Sequence, residues 1–156
     1  MRVLLAMAAA LTLVACRSAP TTVLLRIEAA SGLPYPDELR LSVHADEGRV
    51  VGDEKLAAAA LPGEVVLYPR QDRGVLRILV RARSKGGPVG EGTTTASLQA
   101  GRQVRATLTV GPGALPDADG DGVPDAIDNC PAVPNPAQGP CAGLDGAVER
   151  GELGDG

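Results

Sequence analysis

Five aspartates towards the carboxyl end of the chain are spaced as ligands of a hard metal ion. Counted from the first of them, they occupy positions 1, 3, 5, 9 and 12, with a glycine at position 6: Asp117, Asp119, Asp121, Asp125 and Asp128, with Gly122. A tight loop that bends at a glycine can turn alternate side chains inward around Ca²⁺, which takes about six to eight oxygen ligands. Carboxylates this close together repel one another unless a divalent cation offsets their charge. The pattern therefore predicts a Ca²⁺ site.

The spacing is similar to that of an EF-hand calcium loop, in which a backbone carbonyl after the glycine supplies a further ligand. Val123 occupies that position here. The flanking residues exclude a true EF-hand, because Pro124 follows the carbonyl position and Asp128 replaces the usual bidentate glutamate. Cys130-Pro131 then prevents a helix from leaving the loop.

Beyond the loop, the sequence reads Asp-Asn-Cys-Pro at 128–131 and continues through Asn135 and Gln138. Residues 117–138 resemble the thrombospondin type 3 repeat, whose signature has the same aspartates followed by Asp-Asn-Cys-Pro and Asn-x-x-Gln. The resemblance implies one Ca²⁺ held by Asp117, Asp119, Asp121, the Val123 carbonyl, Asp125 and Asp128, and a structural or adhesive role. An unstructured acidic spacer is the alternative interpretation.

The first sixteen residues predict export. A single positive charge, Arg2, precedes the uncharged run Val3–Val14, which is typical of a secretory signal and too short to span a bilayer. The run ends in Leu13-Val14-Ala15-Cys16, which resembles the lipobox of bacterial lipoproteins. The resemblance implies cleavage before Cys16, lipidation of its thiol, fatty acylation such as palmitate on its amine, and sorting to the outer membrane, since Arg17 follows. An ordinary signal peptide and a retained membrane anchor are the alternatives.

The three cysteines are consistent with this scheme. Once Cys16 carries lipid, Cys130 and Cys141 remain as one pair in an oxidising compartment. A disulfide across so short a loop contributes about 3 kcal/mol in the chain-entropy model. Free thiols and an intermolecular bridge remain the other possibilities.

Residues 22–110 alternate between apolar and polar side chains, as half-buried strands do. Seven short runs are separated by turns that contain Gly, Pro or Asp: 22–29, 39–44, 49–51, 64–68, 75–83, 93–98 and 103–110. They predict a mainly β fold, an antiparallel β-sandwich that resembles immunoglobulin-like or transthyretin-like domains, followed by a small irregular calcium-binding module. The alanine-rich run Leu56–Leu61 is compatible with a short helix and stays undecided.

Composition narrows the function. The chain of 156 residues has a net charge of −4, and this charge together with the export signal excludes nucleic-acid binding. His44 is the only histidine and falls on the outward phase of its strand, so no convergent catalytic set is present and we expect no enzymatic activity. Arg77, Arg81 and Arg83 share the outward phase of another strand. They form either a basic stripe or a solvated surface. A basic stripe could bind lipid phosphates or the chain's own acidic segment at 117–156.

The sequence thus predicts six segments: a signal peptide at 1–15, a lipidated tether at 16–21, a β-sandwich at 22–110, a linker at 111–116, a calcium-binding segment at 117–142 and a flexible tail at 143–156. We expect a lipid-anchored envelope protein with a structural or adhesive role, in contact with the membrane and with an envelope protein or a glycan. The alternative is a sandwich that captures a glycan or a small molecule.

Overall fold

The computed structural model describes residues 19–45, 50–57 and 61–141. The predicted signal peptide, Cys16, the alanines at 58–60 and the tail at 143–156 lie outside the described residues. Within the described ranges, no helix has the length and apolar character needed to cross a membrane. The strands are β1 (Thr22–Ala29), β2 (Glu38–His44), β3 (Val50–Ala57), β4 (Gly63–Leu67), β5 (Gly74–Ser84), β6 (Gly87–Leu98) and β7 (Gln103–Pro112).

All seven strands form one sheet, in the order β3-β2-β5-β6-β7-β1-β4, which curls into a half-barrel. Strands β1 and β7 pair in parallel, from Thr22 opposite Gln103 to Ala29 opposite Val110, and the other neighbours are antiparallel. The prediction of a mainly β fold is confirmed, whereas the strands lie in one mixed sheet and not in two antiparallel sheets facing each other. Alternation of side chains is the same in either arrangement, so the sequence pattern does not distinguish them.

The concave face of the sheet holds the main core. Alternate residues of β1 and β2 point into it, as the apolar phase of each strand predicts: Val23, Leu25, Ile27, Leu39, Leu41 and Val43. Strands β5, β6 and β7 complete this core with Leu76, Ile78, Val80, Ala96, Leu98, Leu108 and Val110. Because no Phe or Trp is present, aliphatic side chains supply this burial.

Strand β6 begins at Gly87, six residues before the predicted start at Thr93. Glycines hide this part of the strand, because they lack the side chains from which alternation is read. A Cβ at Gly90 would lie 2.1 Å from the Gly111 carbonyl oxygen, and one at Gly92 would lie 2.3 Å from the Thr109 carbonyl oxygen. The two glycines therefore allow β6 to approach β7 closely.

His44 departs from its predicted exposure. Its side chain is only 4% exposed, although the strand phase places it outward. The register of β2 against β3 shifts between Val43 and His44, and such a bulge interrupts strict alternation. The prediction of a solvated histidine is therefore wrong. Strand β3 extends to Ala57, beyond the predicted run 49–51, and contains Asp53 and Glu54.

Candidate metal centre

The aspartate-rich segment follows β7 directly and has no regular strand between residues 116 and 141. Its course is set by bends at Gly120 and Gly122, whose φ values of 74° and 89° lie in the left-handed region that favours glycine. A backbone bond from the Asp125 amide to the Pro116 carbonyl, 2.9 Å long, brings the start of the loop next to its second half. The loop is thereby folded back on itself, as the spacing of its acids predicts.

Three of the predicted ligands converge. One carboxylate oxygen from each of Asp117, Asp119 and Asp121 lies within 4.8 Å of the other two. The Asp117 carboxylate accepts the amides of Gly120 and Gly122, both at 2.9 Å, while Asp121 accepts the amide of Val123 at 2.7 Å. These bonds to the loop's own backbone fix the direction of the carboxylates, so the three acids face one point.

Asp128 is a second element of the centre, because its side chain is buried and only partly satisfied. It is 9% exposed, and its Oδ1 accepts bonds from the Cys130 amide at 2.9 Å and from the Gln138 side chain at 2.7 Å. Its Oδ2 is buried without a partner, as is the Oδ2 of Asp119. Two buried carboxylate oxygens therefore lack the donor or cation that such atoms require.

The electrostatics of Asp119 also indicate a centre that favours a bound cation. Burial raises the pKa of its carboxyl, the amide of Asp121 opposes the shift, and the negative charges of Asp121, Asp128 and Asp117 raise it further. Asp119 thus interacts with carboxylates of both halves of the loop, and the centre carries an excess of negative charge.

The other two predicted ligands, Asp125 and the Val123 carbonyl, are not part of the converging group of carboxylates. Asp125 lies outside the converging group and accepts the Ala118 amide on its Oδ1 at 2.8 Å. The Val123 side chain is buried against Leu79 of β5, so only the backbone of Val123 can contribute to the centre. The structure therefore brings together Asp117, Asp119 and Asp121, adds the buried Asp128, and leaves Asp125 and Val123 as neighbours within the loop.

Asn135 and Gln138 have roles that their positions in the motif do not reveal. The Asn135 amide donates to the Asp121 Oδ2 at 2.8 Å, and the buried Gln138 side chain holds Asp128 while accepting the Asn129 amide at 3.0 Å. Residues fourteen and ten positions away thus orient two of the acids. The signal available in the sequence was the Asn-x-x-Gln spacing, which names these residues without naming their partners.

A disulfide joins Cys130 to Cys141, with their Cα atoms 5.6 Å apart, a separation typical of such bridges. It closes the chain behind the segment that contains Asn135 and Gln138. The Cys16 lipidation site predicted with it lies outside the described residues.

The oxygen donors fit Ca²⁺. Carboxylates and a backbone carbonyl are the hard ligands that this cation prefers, and no thiol is free here to favour a softer metal. Residues 116–138 match the thrombospondin type 3 repeat model. The repeat covers the converging acids, Asp128 and both orienting side chains, and thus the whole candidate centre.

Two further comparisons bear on the chain as a whole. A comparison with the curated proteins gives no match. Among solved structures, the chain is similar to an alternative pilotin from the type II secretion system of Vibrio cholerae, with a TM-score of 0.47 and 9% sequence identity. The similarity covers 60% of this chain and 96% of the pilotin.

Proposed function

We propose that the chain is a lipid-anchored protein of the bacterial outer membrane, without enzymatic activity, that binds one Ca²⁺ in its thrombospondin type 3 repeat. The ion holds the repeat in a fixed fold, and the repeat serves a structural or adhesive role towards an envelope protein or a glycan. The anchor rests on the lipobox-like Leu13–Cys16. The calcium role rests on the geometry of the repeat.

One observation carries the calcium assignment: the buried, unpartnered Oδ2 atoms of Asp119 and Asp128 beside the converging triad. A buried polar atom left without a partner costs about 1–3 kcal/mol, and more when the group is charged. A divalent cation bound among these carboxylates would offset their mutual repulsion, and we propose that it is also the missing partner of the two buried oxygens. The ligands in this assignment are Asp117, Asp119, Asp121, the Val123 carbonyl, Asp125 and Asp128.

Ca²⁺ would act here as a source of order. The apolar contacts of the repeat consist of the small cluster around Val123 and Ile127, which is little for 23 residues. In segments with so small a core, binding free energy of the metal serves as folding free energy. The disulfide at Cys130 and the buried Gln138 then limit how far the loop can open.

The test is a calorimetric titration of the full-length chain in detergent. We expect saturable binding of one Ca²⁺, with a dissociation constant in the broad micromolar-to-millimolar range of sensor and extracellular sites, and weaker binding of Mg²⁺. Asp119→Asn should weaken Ca²⁺ binding by about tenfold or more, since ligand charge sets affinity in such loops. Asp72→Asn makes the same chemical change in an exposed loop away from the centre and should leave it unchanged.

Absence of saturable heat up to about 10 mM Ca²⁺, beyond the weakest extracellular modules, would contradict the calcium assignment. So would equal affinities for Asp119→Asn and the unsubstituted chain.

A second candidate function is binding of a small molecule or a glycan by the sheet. A cavity of about 260 Å³ lies between β2, β3 and β4, lined by Leu41, Val43 and Leu76 with Val66 and Tyr68 at its rim. Tyr68 is 72% exposed, and an exposed aromatic beside an apolar cavity is typical of ligand sites. Binding of a glycan or apolar ligand that persists in chelator and is lost in Tyr68→Ala would favour this function.

A further inference from the structure

Among the described residues, one apolar side chain on the outer face of the sheet, Leu79, is covered by the repeat. Leu79 lies on the same outward phase of β5 as Arg77 and Arg81, yet it is 1% exposed. Val123 and Ile127 of the repeat are buried against it, and Leu115 packs at the edge of this cluster. The repeat is thus seated on the sheet.

Arg81 links the repeat to two strands. Its Nε lies 2.9 Å from the Glu91 Oε1 on the neighbouring strand β6, and its Nη2 donates to the Gly122 carbonyl in the calcium loop. The second oxygen of Glu91 accepts the Leu115 amide at 3.1 Å, just before the repeat begins. The Arg81 guanidinium and the Glu91 carboxylate therefore attach the calcium loop, and Leu115 just before the repeat, to the sheet.

The attachment point lies at the bend that orients the acids. The Gly122 amide donates to Asp117, and the next amide, that of Val123, donates to Asp121. A donor held on the Gly122 carbonyl therefore restrains the peptides on which two of the converging carboxylates depend. The sequence suggested two partners for the outward arginines, lipid phosphates or the chain's own acidic segment. The contact of Arg81 with Gly122 is of the second kind.

We propose that Arg81, held by Glu91, is a positioning residue for Ca²⁺ and that calcium binding stabilises the sheet as well as the loop. The inference rests on the proposed calcium function and extends it to residues outside the repeat. Charge and position predict opposite effects for the loss of Arg81. A cation beside an anionic loop repels Ca²⁺, so loss of its charge alone would tighten binding; loss of positioning weakens it.

The first experiment compares Ca²⁺ titrations of full-length wild type and Arg81→Gln. We expect about tenfold weaker binding in the variant, the lower end of what a hydrogen bond from a charged donor contributes. Arg77→Gln removes the same charge from the same face of β5, two residues before Leu79, without removing a contact to Gly122, and should bind Ca²⁺ no more weakly than the wild type. Unchanged or tighter binding by Arg81→Gln would overturn the positioning role.

The second experiment needs only the wild type, so it holds even if a variant fails to fold. Urea unfolding is followed by far-ultraviolet circular dichroism of the strands, which reports the sheet because residues 116–141 contain no strand. Saturating Ca²⁺ should raise the unfolding midpoint relative to chelator, as any ligand of the native state does for the unit that it stabilises. Calcium binding by calorimetry without a shift of this midpoint would overturn the inference alone. Absence of binding would overturn the proposed function with it.

Discussion

Gln138 shows how a single uncharged side chain can organise a charged site. It is 1% exposed and links Asp128 Oδ1 to the backbone of Asn129, with bonds of 2.7 and 3.0 Å. By occupying one oxygen of Asp128, it leaves the other for a cation. The neutral amide suits this place, because a second carboxylate there would add repulsion.

We expect Gln138→Leu to weaken the repeat. The apolar side chain leaves the Asn129 amide without its acceptor, at a cost of about 1–3 kcal/mol, and removes one of the two donors to the Oδ1 of Asp128, which keeps the Cys130 amide. Calorimetry should show weaker Ca²⁺ binding and thermal unfolding a lower midpoint. Gln103→Leu, at the exposed start of β7, is the matched control and should change the free energy of unfolding by less than about 0.5 kcal/mol. Equal effects of the two substitutions would refute the role of Gln138.

At this scale the sequence predicts the convergence of Asp117, Asp119 and Asp121 but not the residues that orient them. The converging aspartates follow from spacing alone, since a loop that bends at glycine turns alternate side chains to one side. The partners of Asn135 and Arg81 depend on how the loop folds and where it docks, which no local pattern encodes. Leu79 was the available signal, because an apolar residue between outward arginines indicates a covered surface.

At the scale of the elements, strand β6 depends on its glycines for its close packing against β7. Gly92 faces the Thr109 carbonyl and the Leu108 side chain of β7 at distances that admit no Cβ. Both atoms belong to the adjoining strand, and the carbonyl is part of its backbone, so the strands must separate if a methyl group is added. The close approach of β6 to β7 is therefore encoded in glycines.

Gly92→Ala should lower the free energy of unfolding by about 2–4 kcal/mol, in the range of forced overpacking against backbone. Gly63→Ala, in the edge strand β4, has no atom within 4 Å of the added carbon and serves as the control. Chemical denaturation of both variants measures the difference. A Gly92→Ala protein as stable as Gly63→Ala would mean that β6 and β7 lie farther apart than described.

The positions of most strands follow from alternation, although β3 and β6 are longer than predicted, but the order of the strands does not. Runs such as 22–29 and 39–44 fall within one residue of β1 and β2, since each buries one face. The parallel pairing of β1 with β7 joins the first and the last strand of the chain in the interior of the sheet, and side-chain alternation is identical in parallel and antiparallel strands. Global pairing of this kind is decided by the whole chain.

For the whole molecule, the sheet has apolar contacts on both sides. Ile78 and Val80 belong to the concave core, while Leu79 between them packs under the repeat. Strand β5 therefore connects the main core with the candidate calcium centre. Its three consecutive apolar residues at 78–80 reflect burial on both faces of the sheet.

At the same scale, the proposed lipid anchor gives a testable prediction of where the protein resides. Cys16→Ser should release the chain from the membrane fraction or leave an uncleaved precursor, because the substituted residue cannot form the thioether. Fractionation with fatty-acid labelling measures this. Cys141→Ser, the same exchange within the disulfide, should keep the label and the membrane association. A Cys16→Ser protein that stays acylated in the membrane would contradict the lipoprotein assignment.

The parallel pair also imposes an order on folding. Thr22 pairs with Gln103, which follows five other strands in the chain, and loop closure over such a length costs entropy before the pair contributes. As the chain emerges with its amino end first, β1 can pair with β4 but waits for β7. The repeat follows β7 directly, so it docks on a sheet whose strands are already assembled. Calcium would thus act after the sheet has assembled. It would stabilise the folded sheet and would not start its folding.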